Sequence, residues 1–310
     1  MSDTITRVAA VDIGTNTVRL LIADVDPAGH VTWVDRRANV TRLGQGVDAI
    51  GALGVAAITR TTEILAGYRT AIGEADVDAT AAIATSAVRD AVNRDVFLDA
   101  ALETLGSRPE VVSGDVEAAL TFQGTTAMAQ GAGPFLVIDP GGGSTEFVIG
   151  RDSPSFVASV DIGSVRLTER ALPHHPVPPE ELAHARRIVR ELLATHVVLP
   201  ETPSRVFGVA GTYTSLAAMH LGLDTYDSAS VHGTELAAAQ LHDLTDRLAT
   251  MTVAEISAIP SMDGKRAPVI TGGAVVAEQA LAHTRCGAIV VSERDSLDGL
   301  AVRIARSLQH

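Results

Sequence analysis

Two stretches of this chain carry one pattern, and that repeat constrains the fold more than any other feature. Residues 8–23 read VAAVDIGTNTVRLLIA and residues 135–150 read FLVIDPGGGSTEFVIG. In each, an apolar run delivers an aspartate, a glycine-bearing turn follows, and a second apolar run begins at once. That order is the signature of a strand, a tight turn and a second strand. Laid over one another, Asp12 meets Asp139, Gly14 meets Gly141 and Thr17 meets Ser144, while Leu20-Leu21-Ile22 meets Phe147-Val148-Ile149. Asp12 and Asp139 stand 127 residues apart, close to the size of one ordinary domain. A chain of 310 residues with this repeat is expected to form two related domains, each offering one loop to a shared cleft.

The loop chemistry points to phosphate. Three consecutive glycines, Gly141, Gly142 and Gly143, let the backbone take positive φ and present successive N–H groups. Asp139 and Glu146 at the two ends would repel phosphate alone, but suit a divalent cation placed between them and the phosphate. The copies differ in one telling place. Arg19 in the first stands opposite Glu146 in the second, so one loop brings a cation and the other a carboxylate.

Composition narrows the partners. A net charge of −13, with Lys265 as the only lysine, makes a poor non-specific binder of nucleic acid. Aromatic residues are 3%, so the cores must be built from Ala, Val, Leu and Ile. Cys286 is the single cysteine, which excludes an internal disulfide and fits a reduced compartment. The N-terminus lacks a signal-peptide pattern, and no apolar run reaches the roughly 18 residues of a membrane helix. A cytoplasmic protein without membrane contact is expected. No Gly-x₄-Gly-Lys-Ser/Thr run exists, His174-His175 lack metal-ligand spacing, and GQGVD at Gly44 lacks the third glycine of a dinucleotide site.

Along the chain, residues 8–25 read as a hairpin, with a third strand near Val31–Val34 and a helix over Leu53–Ile72. A strand over Val77–Thr85 places Arg89 at the start of the next helix, and Val92–Leu105 forms a helix with Asn93 as its cap. A strand at Pro109–Val112 turns at Ser113-Gly114 into a helix, so Glu117 falls in a first helical turn just past a strand end. In α/β folds this is where ligand and catalytic groups gather. AMAQGAGP at 127–134 marks a boundary between domains 1–130 and 131–310. In the second, a strand pair is expected from Phe156–Asp161 with IGSVRLTER behind it. Residues 206–210 deliver Gly211 and Thr212 to a helix, and one helix is expected over Thr234–Thr250. Gly272-Gly273 should turn into a helix at Ala274–Ala282, and Leu297–Leu308 form a terminal helix.

Several stretches then appear in one order: DIGTNTVRLLIAD at Asp12, ATSAVRDAVN at Ala84, VSGDVEAAL at Val112, DPGGGSTE at Asp139, DIGSVRLTE at Asp161 and VAGTYTSLAA at Val209. Together they resemble the exopolyphosphatase and guanosine pentaphosphate phosphohydrolase family, over nearly the whole chain and in its short, two-domain form. The resemblance implies an α/β fold of two ribonuclease-H-like domains, as in the actin, chaperone and sugar-kinase superfamily, with a terminal helix that packs back on the first domain. It implies a Mg²⁺-dependent hydrolase of inorganic polyphosphate; the alternatives are a guanosine pentaphosphate phosphohydrolase and a weakly active regulatory protein that binds guanosine penta- or tetraphosphate. A homodimer is a further expectation. By motif, Glu117 matches the general base and Arg89 a catalytic residue of the first domain. Asp12, Asp139 and Glu146 match the metal side. Asn16, Arg19, Gly141, Gly142, Gly143, Ser144, Gly211 and Thr212 match phosphate-facing positions. Departures are Val116 and Ala119, where a glutamate and an arginine are common, Pro140, and Ala210 in place of a frequent glycine. A preference for short polyphosphate is expected from the lack of the extra C-terminal domains found in long members.

Overall fold

The computed structural model describes residues 5–15, 17–127, 129 and 131–308. The chain forms two compact units, Met1–Ala129 with Ser296–His310, and Gln130–Asp295. The second unit therefore ends before the last helix, and not at residue 310.

In the first unit, strands β1 (Thr6–Ile13), β2 (Thr17–Val25) and β3 (Val31–Val40) are followed by helices α1 (Val47–Ile50) and α2 (Val55–Glu74). Then come β4 (Ala79–Ala84), α3 (Ser86–Asp90), α4 (Arg94–Leu105), β5 (Glu110–Val111) and α5 (Gly114–Thr126). The strands lie in the order β3-β2-β1-β4-β5, antiparallel from β3 to β1 and parallel from β1 to β5. Strand β1 reads as an unbroken apolar run because both of its faces are covered. Ala9, Val11 and Ile13 face one core with Leu65 and Tyr68 of α2 and Phe97 of α4. Val8 and Ala10 face another with Leu120 of α5 and Leu297, Leu300 and Ala301 of the terminal helix. Two-residue alternation of the strand fixes which side chain joins which core.

In the second unit, β6 (Phe135–Pro140), β7 (Thr145–Gly150) and β8 (Pro154–Val160) lead to α6 (Ser164–Ala171), α7 (Pro179–His196), β9 (Arg205–Gly208) and α8 (Ala210–Leu221). There follow α9 (Ser228–Val231), β10 (Glu235–Ala237), α10 (Ala238–Ala249), α11 (Val253–Ser257), α12 (Ile270–Thr284) and β11 (Ala288–Val291). The chain then enters α13 (Ser296–Ser307), which belongs to the first unit. The sheet order is β10-β11-β9-β6-β7-β8. Reading from β8 inward, the pattern of three antiparallel strands followed by two parallel ones is that of the first sheet, with β10 added at the far edge. The repeat in the sequence is thus a repeat of ribonuclease-H-like topology. Among the described residues no helix is long and apolar enough to cross a membrane.

Four local expectations change. IGSVRLTER is helix α6 and not a second strand, with Leu167 and Ala171 buried four residues apart on one face. A short strand, β10, opens the span expected to be one helix from Thr234. Gly272 and Gly273 lie inside α12, where a Cβ would come within 2.3 Å of Thr168 Oγ1 and 2.8 Å of Thr212 Oγ1, so they permit close packing and make no turn. Asn93 occupies the N-cap of α4, but its amide holds the N–H and C=O of Leu53, at 2.8 and 2.9 Å, and makes no cap bond.

Candidate active site

The two glycine turns share one geometry. Gly14 N–H donates to the carbonyl of Thr17 at 3.0 Å, and Gly141 N–H to the carbonyl of Ser144 at 2.9 Å. Gly141, Gly142 and Gly143 do not take positive φ, contrary to the expectation. The turn is close but not closed to a side chain: a Cβ on Gly141 would sit a little tightly, 3.3 Å from the Ser144 carbonyl, and one on Gly142 in ordinary contact, 3.4 Å from Val165. The neighbouring Gly163 is tighter still, with a Cβ only 2.5 Å from the Gly141 carbonyl. Ser164 N–H donates to that carbonyl at 3.0 Å, and Val165 and Arg166 N–H to the Gly142 carbonyl at 2.9 and 3.1 Å. With the carbonyls held by the start of α6, the amides of Gly142 and Gly143 donate to no acceptor among the described residues. Arg166 lies against Gly143 and pairs with Asp161 at 3.0 Å.

At the mouths of the turns the copies part. In the first unit Asp12 is directly opposite Arg19 across β1 and β2, and the Asp12 Oδ2 accepts from Arg19 Nη2. Asp12 is 3% exposed, and its Oδ1 accepts no hydrogen bond from the described residues. In the second unit the corresponding register pair is Asp139 with Glu146, two carboxylates. Like charges directly opposite across a sheet repel, and a hard divalent cation with oxygen ligands relieves that repulsion. Ser159 donates to Glu146 Oε1 at 2.8 Å and orients it. A Mg²⁺ site needs only one or two carboxylates with phosphate and water oxygens, so Asp139 and Glu146 fit such an ion. Among the described residues, no three His, Cys, Asp or Glu side chains gather as a metal cage.

Glu117 is placed by the start of α5. Ser113 caps this helix by accepting from Val116 N–H at 3.3 Å, and Glu117 N–H donates to the Ser113 carbonyl at 3.0 Å. Arg89, expected at a helix start, sits in the last turn of the short α3. Its Nη1 donates to the Val112 carbonyl at 3.0 Å, tying α3 to the entry of Glu117's helix. Val116 packs against the core that contains Val112 and Leu120. An apolar residue at that position is therefore a packing choice. Asn16 lies outside the described residues.

Gly211 and Thr212 fall in the first turn of α8, where backbone N–H groups lack helical partners. Ala210 before them takes φ 63°, a left-handed value that glycine adopts without strain. Sequence reasoning passed over Arg266, whose guanidinium lies on Gly211 so closely that a Cβ would meet Nη1 at 1.4 Å. Nearby, Tyr226 donates to Glu293. Burial first, then the Glu293 carboxylate, push its phenol above the ordinary range, with Arg266 pulling the other way. No local pattern distinguishes Arg266 in the sequence, since its contact is formed across the fold. Arg166 lies within the DIGSVRLTE stretch and could have been singled out there.

Comparison with known proteins gives the family. Residues 21–308 match the model of the Ppx/GppA phosphatase family. Exopolyphosphatase 2 of Mycobacterium tuberculosis is 42% identical over 316 residues, covering 97% of this chain and 99% of the relative. The crystal structure of the Aquifex aeolicus Ppx/GppA family member superposes with a TM-score of 0.89 at 29% identity, over 99% of this chain and 100% of that one. An exopolyphosphatase from Cytophaga hutchinsonii gives a TM-score of 0.81 at 26% identity, over 97% of this chain and 98% of that one. By that family match and that identity over nearly the whole chain, this chain belongs to the Ppx/GppA phosphatase family.

Proposed function

We propose that this protein removes the terminal phosphate from inorganic polyphosphate by attack of a base-activated water, and that Mg²⁺ is its metal. The observation that carries the reading is the carboxylate pair Asp139–Glu146 beside a turn in which Gly142 and Gly143 N–H donate to no acceptor among the described residues. The relative named Exopolyphosphatase 2 supports the substrate class.

Phosphoanhydride hydrolysis is chiefly positioning and charge stabilisation, with no covalent nucleophile required. Asp139 and Glu146 would hold the cation, which when bound supplies neutralisation of phosphate charge. The amides of Gly142 and Gly143 and the first turn of α8 donate to phosphate oxygens, with Arg166 and Arg266 adding positive charge. Glu117 takes the proton from the attacking water. Arg89 fixes the helix entry that carries Glu117 through the Val112 carbonyl.

The test is phosphate release from short polyphosphate, guanosine pentaphosphate and ATP, with and without Mg²⁺, for wild type and Glu117→Gln. The expected result is Mg²⁺-dependent release from polyphosphate that falls about 10³-fold in the variant, within the range for a lost general base. Release from guanosine pentaphosphate alone would replace the substrate. Silence on all three would leave a phosphate-binding protein without hydrolytic function. A length-defined polyphosphate series tests the preference for short chains, which faster turnover of long ones would reject.

A further inference from the structure

Asp12 and Arg19 do not stand alone at the mouth of the first turn. Ser296 is 2% exposed, and its hydroxyl joins them both. It accepts from Arg19 Nη2 at 2.9 Å and donates to Asp12 Oδ2 at 3.1 Å. One hydroxyl thereby uses a lone pair and its proton to fix the angle of a guanidinium against a buried carboxylate. Ser296 is the first residue of α13, whose seat is set by three independent contacts. Leu297, Leu300 and Ala301 are fully buried against β1 and β2. Asp298 accepts from Trp33 Nε1 at 2.8 Å and from Arg36 Nη1 at 3.1 Å. Gly299 touches α5 so closely that a Cβ would meet the Leu120 carbonyl at 2.1 Å. The same helix thus grips α5, which carries Glu117, and the β1–β2 hairpin, which carries Asp12 and Arg19.

We infer that Ser296 is a positioning residue for the hydrolysis: presented by α13, it holds the Asp12–Arg19 pair in register with the helix that bears Glu117. The inference rests on the phosphohydrolase reading above. Ser296 acts on the reaction through Arg19 and Asp12, so its removal should weaken turnover and spare substrate affinity.

Kinetics of Ser296→Ala, Arg19→Lys and the double variant on polyphosphate test this, with the emission of Trp33, the only tryptophan, as a reporter of α13's seat. Ser296→Ala is expected to lower kcat about tenfold with KM changed less than about twofold. In the Arg19→Lys background, where the guanidinium fork is already gone, the same substitution should cost less than about twofold, because the two side chains act as one unit. Trp33 emission should stay as in wild type. Full activity in Ser296→Ala overturns the inference, and so does a loss that multiplies with that of Arg19→Lys. A red-shifted Trp33 with a melting temperature lowered by more than about 5 °C would make the residue a mere helix anchor, which also overturns it. A wild type inert on polyphosphate removes the functional reading and this inference with it, whereas an active wild type beside an unaffected variant removes the inference alone.

Discussion

The two glycine hairpins are alike in backbone and opposite in charge. Each opens on an aspartate at a strand end, and each closes its turn with one N–H to carbonyl bond between equivalent residues. Across the ladder Asp12 finds an arginine, whereas Asp139 finds a glutamate. The first pair is neutral within itself, and its buried aspartate is held by Arg19 and Ser296. The second pair sets two carboxylates opposite one another, the arrangement on which the cation proposed above rests. The duplicated backbone thus carries two different charge arrangements, one a carboxylate paired with an arginine and the other two carboxylates opposite one another. The difference rests on one residue of the β2 and β7 strands.

The most severe way to break this contrast is Glu146→Arg, which gives the second hairpin the charges of the first. Polyphosphate hydrolysis should fall about 10³-fold or more with loss of transition-state charge stabilisation, and Mg²⁺ should no longer raise the melting temperature. Retained Mg²⁺-dependent activity would show that the glutamate is not a metal ligand. Arg19→Gln comes next in size. It leaves the buried Asp12 without its countercharge and should destabilise the first unit by about 2–3 kcal/mol in denaturant titration, below the usual cost for a fully buried pair because Arg19 is partly exposed. Adding Asp12→Asn should restore part of that loss, and no restoration would mean Arg19 stabilises through other contacts. Third, Mg²⁺ at about tenfold its Kd should stabilise wild type by about 1.4 kcal/mol. The shift should persist in Arg19→Gln and vanish in Glu146→Gln. The smallest effect concerns the turn that feeds α8. Ala210→Gly relieves a left-handed residue and should raise stability by about 1 kcal/mol, and an unchanged or lowered melting temperature would show that Ala210 is not strained.

The hairpins were legible because their information is local. Apolar runs, an aspartate and glycines within sixteen residues are enough to write strand, turn and strand, and the domain-scale repeat follows from seeing it twice. Glu117 was legible for the same reason, since Ser113 announces the helix it caps. What escaped depends on contacts between distant parts of the chain. DIGSVRLTE looks like the opening of the first hairpin, yet it folds as α6 because Leu167 and Ala171 find a core to enter. Gly272-Gly273 reads as a turn, while the fold uses it to let Thr168 and Thr212 approach a helix. Val116 reads as a missing carboxylate, and only the core behind it reveals why an apolar side chain suits the position. Arg266 on Gly211 and Ser296 between Asp12 and Arg19 have no neighbourhood signature at all, because each meets its partner over tens or hundreds of residues.

The first unit is made from both ends of the chain, and this bears on how it comes into being. Synthesis proceeds from the amino end, so the hairpin that bears Val8, Ala10, Leu21 and Ala23 leaves the ribosome long before α13 exists. Until residues 296–307 emerge, that core lacks Leu297, Leu300 and Ala301, and Asp12 lacks the Ser296 hydroxyl. The second unit, continuous from Gln130 to Asp295, has all of its parts earlier. The half of the protein that is translated first is therefore the half that is finished last, and a chain broken off before its final helix lacks one wall of a core in the unit that carries Glu117.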